Sequence, residues 1–121
     1  MSGIFGLANT HNNIDLPAFL AACATRMSHT AWNVSETWAA SDRPLGIGRI
    51  GVGIFNQEPQ PVRQPETGCL IWMCGELYQT GGLVQKLKRD TTAFRFTHPE
   101  LALAAYQEYG LDFARHLNGA F

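Results

Sequence analysis

The order of segments predicts an α+β domain, and three observations carry that reading. Apolar, strand-like runs stand at Gly3–Ala8, Thr37–Ala40, Leu45–Val52 and Leu70–Tyr78, and the middle two flank a turn, Ser41-Asp42-Arg43-Pro44. Helix-start signals stand between and after these runs, at Asp15 and at Thr97. No repeat, low-complexity tract or linker divides the 121 residues, so they read as one domain, 1–121, long enough for a real core.

Taken in order, Gly3–Ala8 is a short buried strand and Asn9–Asn13 a polar turn. Asp15 caps a helix that runs to about Met27, with Leu16, Phe19, Leu20, Cys23 and Met27 on one face. Residues 29–36 are polar and irregular, and the two strands of the 41–44 turn follow, the second rich in glycine. Leu70–Tyr78 is the clearest strand, an apolar run suited to burial on both faces. Leu83–Lys88 forms a short helix. Thr97 and Glu100 make a capping box, with Pro99 in the first turn of a helix that Gly110 ends. A last helical turn near Asp112–Leu117 leads into Gly119-Ala120-Phe121, which looks like the entrance to a further strand.

Composition excludes several functions. Nine basic against ten acidic residues, with no basic cluster, leave nothing to neutralise phosphate backbones, so nucleic acid is not a partner. No apolar stretch reaches membrane-spanning length and no signal peptide opens the chain, so no membrane association and a cytoplasmic location are expected. Cys23, Cys69 and Cys74 are odd in number and lack redox or metal spacing, which suits reduced thiols. His11, His29, His98 and His116 do not fall at zinc-site intervals, so no metal is expected. Trp32, Trp38 and Trp72 are scattered and read as core or subunit contacts, leaving a homodimer open.

The start, Met1-Ser2-Gly3-Ile4-Phe5-Gly6, carries chemistry if Met1 is removed. Ser2 then has an α-amine of pKa about 7.7–8.0 beside its hydroxyl, a base and a nucleophile on one residue. Residues 1–6 alone read better as a plain buried first strand, and more of the chain is needed to overturn that.

Five further pieces supply it: Leu45-Gly46-Ile47-Gly48-Arg49-Ile50; Gln60-Pro61; Gly75-Glu76-Leu77-Tyr78 after a hydrophobic run; Phe96-Thr97 with Glu100; and Tyr106 with Gly110 followed by Leu117-Asn118-Gly119-Ala120-Phe121. With the start, they follow the order and spacing of one family. The chain resembles the N-terminal glutaminase domain of asparagine synthetase, a class II glutamine amidotransferase of the N-terminal-nucleophile hydrolases, from Met1 to Phe121. The resemblance implies a four-layer αββα sandwich of mostly antiparallel strands. This chain would be its front part only, truncated on the C-terminal side. In that family a synthetase domain follows, and ATP and Mg belong to it. No cofactor is implied for residues 1–121, which lack a Gly-x-x-x-x-Gly-Lys-Ser/Thr phosphate loop.

The resemblance also assigns the site. Ser2 stands at the nucleophile position, where the family has Cys. Arg49 matches the arginine that grips the carboxylate of glutamine, a task suited to a planar bidentate donor. Ile50, Gly51, Val52 and Gly53 fall where backbone lines the substrate. Gly75 falls where an amide helps hold the oxyanion, and Glu76 where a side chain helps position the substrate amine.

Two positions depart from the pattern. Cys74 stands where an asparagine donates to the oxyanion, and a thiol donates weakly; losing one such donor costs about 10²–10³ in turnover. His98 stands where an aspartate pairs with the ammonium of glutamine, and imidazole brings no negative charge. Ser28-His29-Thr30-Ala31-Trp32 also replaces the family's His-Arg-Gly-Pro-Asp run. With nucleophile, oxyanion donor and ammonium partner altered together, the glutaminase site reads as degenerate. By analogy with β-lactam synthetases and lasso-peptide cyclases, the domain would pack against a synthetase domain, in the same chain or a partner chain. The competing expectation is a working amidohydrolase: Ser2 attacks, its amine is the base, and His98 with Cys74 shapes a pocket for an amide other than glutamine. A variant of that reading makes Cys74 the nucleophile.

Overall fold

Asp15 begins the first helix as its side chain predicts. In a computed structural model of the protein, which describes residues 2–8, 14–87 and 96–121, Asp15 Oδ1 accepts a hydrogen bond from the Ala18 amide at 3.0 Å. Helix α1 then runs from Leu16 to Met27 with Pro17 in its first turn, where a missing N–H does no harm. The described residues fall into two units, 1–57 and 58–121.

The first unit is an antiparallel sheet of β1 (Gly3–Ala8), β2 (Val34–Ala39) and β3 (Leu45–Gly51), ordered β1-β3-β2. Phe5 pairs with Gly48 and Leu7 with Gly46, which puts both aligned pairs on the face that α1 covers. Leu16 and Leu20 are buried there, with Ile50 fully so. Gly46 permits the close approach: a Cβ on it would stand 2.8 Å from Leu20 Cδ1. The opposite face carries Ile4, Glu36 and Arg49, which are direct neighbours across the three strands.

The second strand starts earlier than its sequence suggests. Residues 34–36 read as irregular because Ser35 and Glu36 are polar, yet Val34, Ser35 and Glu36 pair with Gly51, Ile50 and Arg49. Pairing against β3 overrides the weak local preference. The turn at 41–44 joins β2 and β3 as expected, closed by Ala40 N–H donating to Leu45 O at 2.8 Å.

The second unit holds β4 (Val62–Arg63), β5 (Leu70–Ile71), β6 (Glu76–Leu77), α2 (Thr80–Lys86), α3 (His98–Tyr109) and β7 (Gly119–Ala120). Its core is Met73, Leu77, Leu83, Leu101 and Ala102, with Ile71, Val84, Leu87, Phe96 and Leu117 packed on it. The expected continuous strand Leu70–Tyr78 is instead two short ones: β5 pairs with β4 and β6 with β7. Gly75 breaks the run with φ of +92°. Between the pieces, the Gln60 side chain takes the place of a strand: its Oε1 accepts from Met73 N–H at 2.7 Å and its Nε2 donates to Met73 O at 3.2 Å. Burial follows the same break. Met73 and Leu77 are buried but Tyr78 is exposed.

Helix α3 follows its signals closely. The reciprocal capping box of Thr97 and Glu100 is present, Pro99 sits in the first turn, and Gly110 ends the helix with φ of +59°. Helix α2 begins at Thr80, before the expected Leu83, although Gly81 and Gly82 each weaken a helix by about 1 kcal/mol. Burial of Leu83 in the core anchors that turn. The expected turn at 112–117 is a 3₁₀ helix over Gly110–His116, steadied by Tyr109 stacked on His116 with centroids 3.7 Å apart. Gly119-Ala120 does form a strand, β7. The polar turn Asn9–Asn13 and Lys88 at the end of α2 lie outside the described residues.

Candidate functional site

The candidate residues divide between the units: Ser2, Arg49, Ile50 and Val52 in the first, and Cys74, Gly75, Glu76 and His98 in the second. Each group is described within its own unit.

In the first unit, β1 and β3 fix the geometry. Ile4 is the direct partner of Arg49. Ser2, the residue before β1, is exposed; a pleat continued through it would turn it to the face of Ile4 and Arg49. The Arg49 side chain is buried, and its Nε donates to Glu36 Oε2 in an ion pair; the Glu36 side chain keeps about a quarter of its surface in solvent. Arg49 also floors a pocket of about 200 Å³ whose walls are Val34, Gly51, Gly53, Phe55, Asn56 and Gln57. Of the segment assigned to substrate backbone, Gly51 and Gly53 line this pocket, while Ile50 turns to the helix face and is fully buried. Val52, just past β3, is half-buried and is not part of the wall.

Two loops near the end of β3 are held by side-chain amides. Asn33 Oδ1 accepts from the His29 amide, the Thr30 amide and Thr30 Oγ1, all at 3.0 Å, and its Nδ2 donates to Gly51 O at 3.4 Å. The 29–33 turn, where the sequence leaves the family pattern, is thus tied to the end of β3. Gln57 Nε2 donates to Gly53 O at 2.7 Å and closes the 53–57 loop.

In the second unit, Gly75 precedes β6 in a backbone conformation that L side chains rarely adopt. A Cβ there would fall 1.9 Å from Ala120 O. Glu76 pairs with Ala120 and is half-buried. Cys74 is half-buried and lies in no strand. His98 is the first residue of α3, and its Nδ1 accepts from the Leu77 amide at 3.2 Å. In the neutral ring this leaves the proton on Nε2. No group of three or more metal-ligating side chains occurs among the described residues, and no described helix is long and apolar enough to cross a membrane.

Sequence reasoning missed Glu36, and it noted Gln60 only as part of the Gln60-Pro61 resemblance, without its role. Glu36 was within reach: a hairpin closed by Ala40 and Leu45 sets a register in which Glu36 faces Arg49. The hold of Gln60 on Met73 left no such signal, because a buried amide standing in for a strand has no periodic pattern.

Comparison with known proteins extends this geometry. A family model for the glutamine amidotransferase domain matches residues 1–121. Amidase chry2 of Gibberella zeae is 26% identical over 98 residues, which cover 78% of this chain and 15% of that protein. The chain therefore spans about 15% of the length of that curated relative. No solved structure matches. By a match across its whole length, the chain belongs to the glutamine amidotransferase domain family.

Proposed function

We propose that residues 1–121 are the front part of the glutaminase-like domain of an asparagine-synthetase-like protein, built on a four-layer αββα plan, in which glutamine hydrolysis has been lost. Its remaining task is to pack on a synthetase domain, in the same or a partner chain. The fold plan is supported by an antiparallel sheet with a helix layer on one face. The loss of hydrolysis is carried by one observation: the arginine assigned to the carboxylate of glutamine is buried and engaged with Glu36. An arriving carboxylate would meet that negative charge. The serine at the nucleophile position, the thiol of Cys74 and the His98 ring at the ammonium position support the same reading.

A second reading is favoured by the exposure of Ser2, next to the strand that pairs with Arg49, and by likeness to a protein named an amidase. In it, Ser2 attacks a different amide, with its own α-amine taking the proton. One experiment separates the two. The complete protein is incubated with glutamine and, separately, with an amide-mimicking electrophile, and ammonia release and intact mass are read. The leading reading expects no ammonia above background and no adduct. An adduct on Ser2 with Met1 removed overturns it, and repetition with Cys74→Ala tells which atom reacts.

A further inference from the structure

A second pocket, of about 180 Å³, lies wholly within the second unit, and none of the residues assigned to glutamine lines it. Its lining comes from β6 and α2 and from the end of the 3₁₀ helix with Asn118. Leu77 and Leu83, both buried in the core, supply its apolar part. Two contacts fix its shape. The Tyr78 amide donates to Asn118 O at 2.7 Å, and Tyr109 stacks on the His116 ring with centroids 3.7 Å apart and planes 16° from parallel. The polar side chains that line it are Tyr78, Gln79, Thr80, Lys86, His116 and Asn118. Among the described residues, none of these side chains has a hydrogen bond or an ion pair within the protein. No carboxylate lines the pocket, so the charge of Lys86 is unmatched there.

We propose that this pocket binds a small oxyanion, a phosphate or carboxylate group, with Lys86 as its charge partner. The proposal goes beyond the glutaminase reading and does not depend on it. Every polar side chain of the lining can donate: the Lys86 ammonium, the hydroxyls of Tyr78 and Thr80, the amides of Gln79 and Asn118, and the ring N–H of His116. An oxyanion is acceptor-only, so it uses all of them in one sense. Bonds in which donor or acceptor is ionised are roughly twice as strong as neutral ones. A neutral ligand of the same size would leave the Lys86 charge unanswered, and a cation would meet it head on. The stack on Tyr109 holds His116 in place, so this donor loses little freedom when a ligand arrives. Gln79 keeps a φ of +52°, a conformation unusual for a residue with a long side chain. The volume, about 180 Å³, falls below the roughly 300–1,000 Å³ of drug-sized sites, which suits one anionic group on a short body.

The test is a titration of the complete protein followed by backbone amide NMR at constant ionic strength, with three probes: inorganic phosphate, acetate and uncharged acetamide. Saturable shifts at Tyr78, Thr80 and His116 are expected with phosphate, acetate or both, at a dissociation constant below about 5 mM. Whichever of the two binds more tightly identifies the anionic group. Acetamide should bind at least about tenfold more weakly than the better anion. Lys86→Gln, at an exposed position, should weaken the anion at least about fivefold, and Lys86→Arg should restore most of it. Arg63→Gln, which removes an exposed cation elsewhere in the same unit, should leave binding unchanged. The proposal is overturned if neither anion gives saturable shifts at those amides, if acetamide binds as well, if Lys86→Gln has no effect, or if Arg63→Gln weakens binding as much as Lys86→Gln does. The wild-type comparison of the three probes stands whatever the variants do. None of these readouts depends on hydrolysis, so a reactive Ser2 would sink the degenerate-site reading without touching this result, and the reverse also holds.

Discussion

Gln60 holds Met73 by both of its backbone groups, accepting from the amide at 2.7 Å and donating to the carbonyl at 3.2 Å. Gln60 is itself buried. A side-chain amide thus does for one residue what a neighbouring strand does for many, and it does so where the chain passes from β5 towards Gly75. The position of Gly75 and Glu76 depends on this clasp as much as on the two short ladders around it.

Replacing the amide by an apolar chain of similar length tests that dependence. Gln60→Met removes both hydrogen bonds to Met73 from a buried place, and a loss of about 2–4 kcal/mol is expected. Urea denaturation measures it; a change under about 0.5 kcal/mol, the level of an ordinary surface substitution, would show that the clasp is dispensable.

The Arg49–Glu36 pair gives a second prediction. Glu36→Ala leaves a buried guanidinium without this carboxylate and should cost about 3 kcal/mol. The double change Glu36→Leu with Arg49→Met removes both charges together and is expected to cost less than the sum of its parts. A double-mutant cycle read by denaturation checks this, and strict additivity would mean that the two side chains do not interact in solution.

Much of this was readable before any coordinates. Asp15, Thr97, Glu100 and Gly110 announce their helix ends because capping is local, decided within four residues. Gly3–Ala8, a strand as expected but alternately half-buried and exposed rather than buried, and the turn at 41–44 are local in the same sense. What escaped the sequence was non-local. Val34–Glu36 become strand only because β3 lies beside them. The Leu70–Tyr78 run is apolar enough for one strand and is divided by a distant amide and by the backbone angle of Gly75. For the site, the resemblance pointed to Arg49 and Gly75, whereas the partner that gives Arg49 its character, Glu36, depended on counting the hairpin register.

Gly75→Ala should be the most damaging single change in the second unit. The new Cβ would stand 1.9 Å from Ala120 O, at a residue whose φ is +92°. Steric conflict and backbone strain together are expected to cost more than about 2 kcal/mol. The β6–β7 pairing should open first. Hydrogen exchange at the Tyr78 amide, which donates to Asn118 O at 2.7 Å, is the sensitive readout; unchanged protection there would contradict the geometry.

The capping box offers a milder control. Thr97→Ala removes the side-chain acceptor of the Glu100 amide and should cost about 1 kcal/mol. A thermal melt detects it, and Thr97→Ser should recover most of the loss.

The pairing of β6 with β7 has a mechanical meaning. Residue 121 lies directly beside Gly75: its Cα would be 2.8 Å from a Cβ built on that glycine. A pull on the polypeptide at Phe121 therefore loads the Glu76–Ala120 rung before any other, and an antiparallel ladder drawn from one end unzips bond by bond. Tension or slack at that point is felt at once by the glycine assigned to the oxyanion.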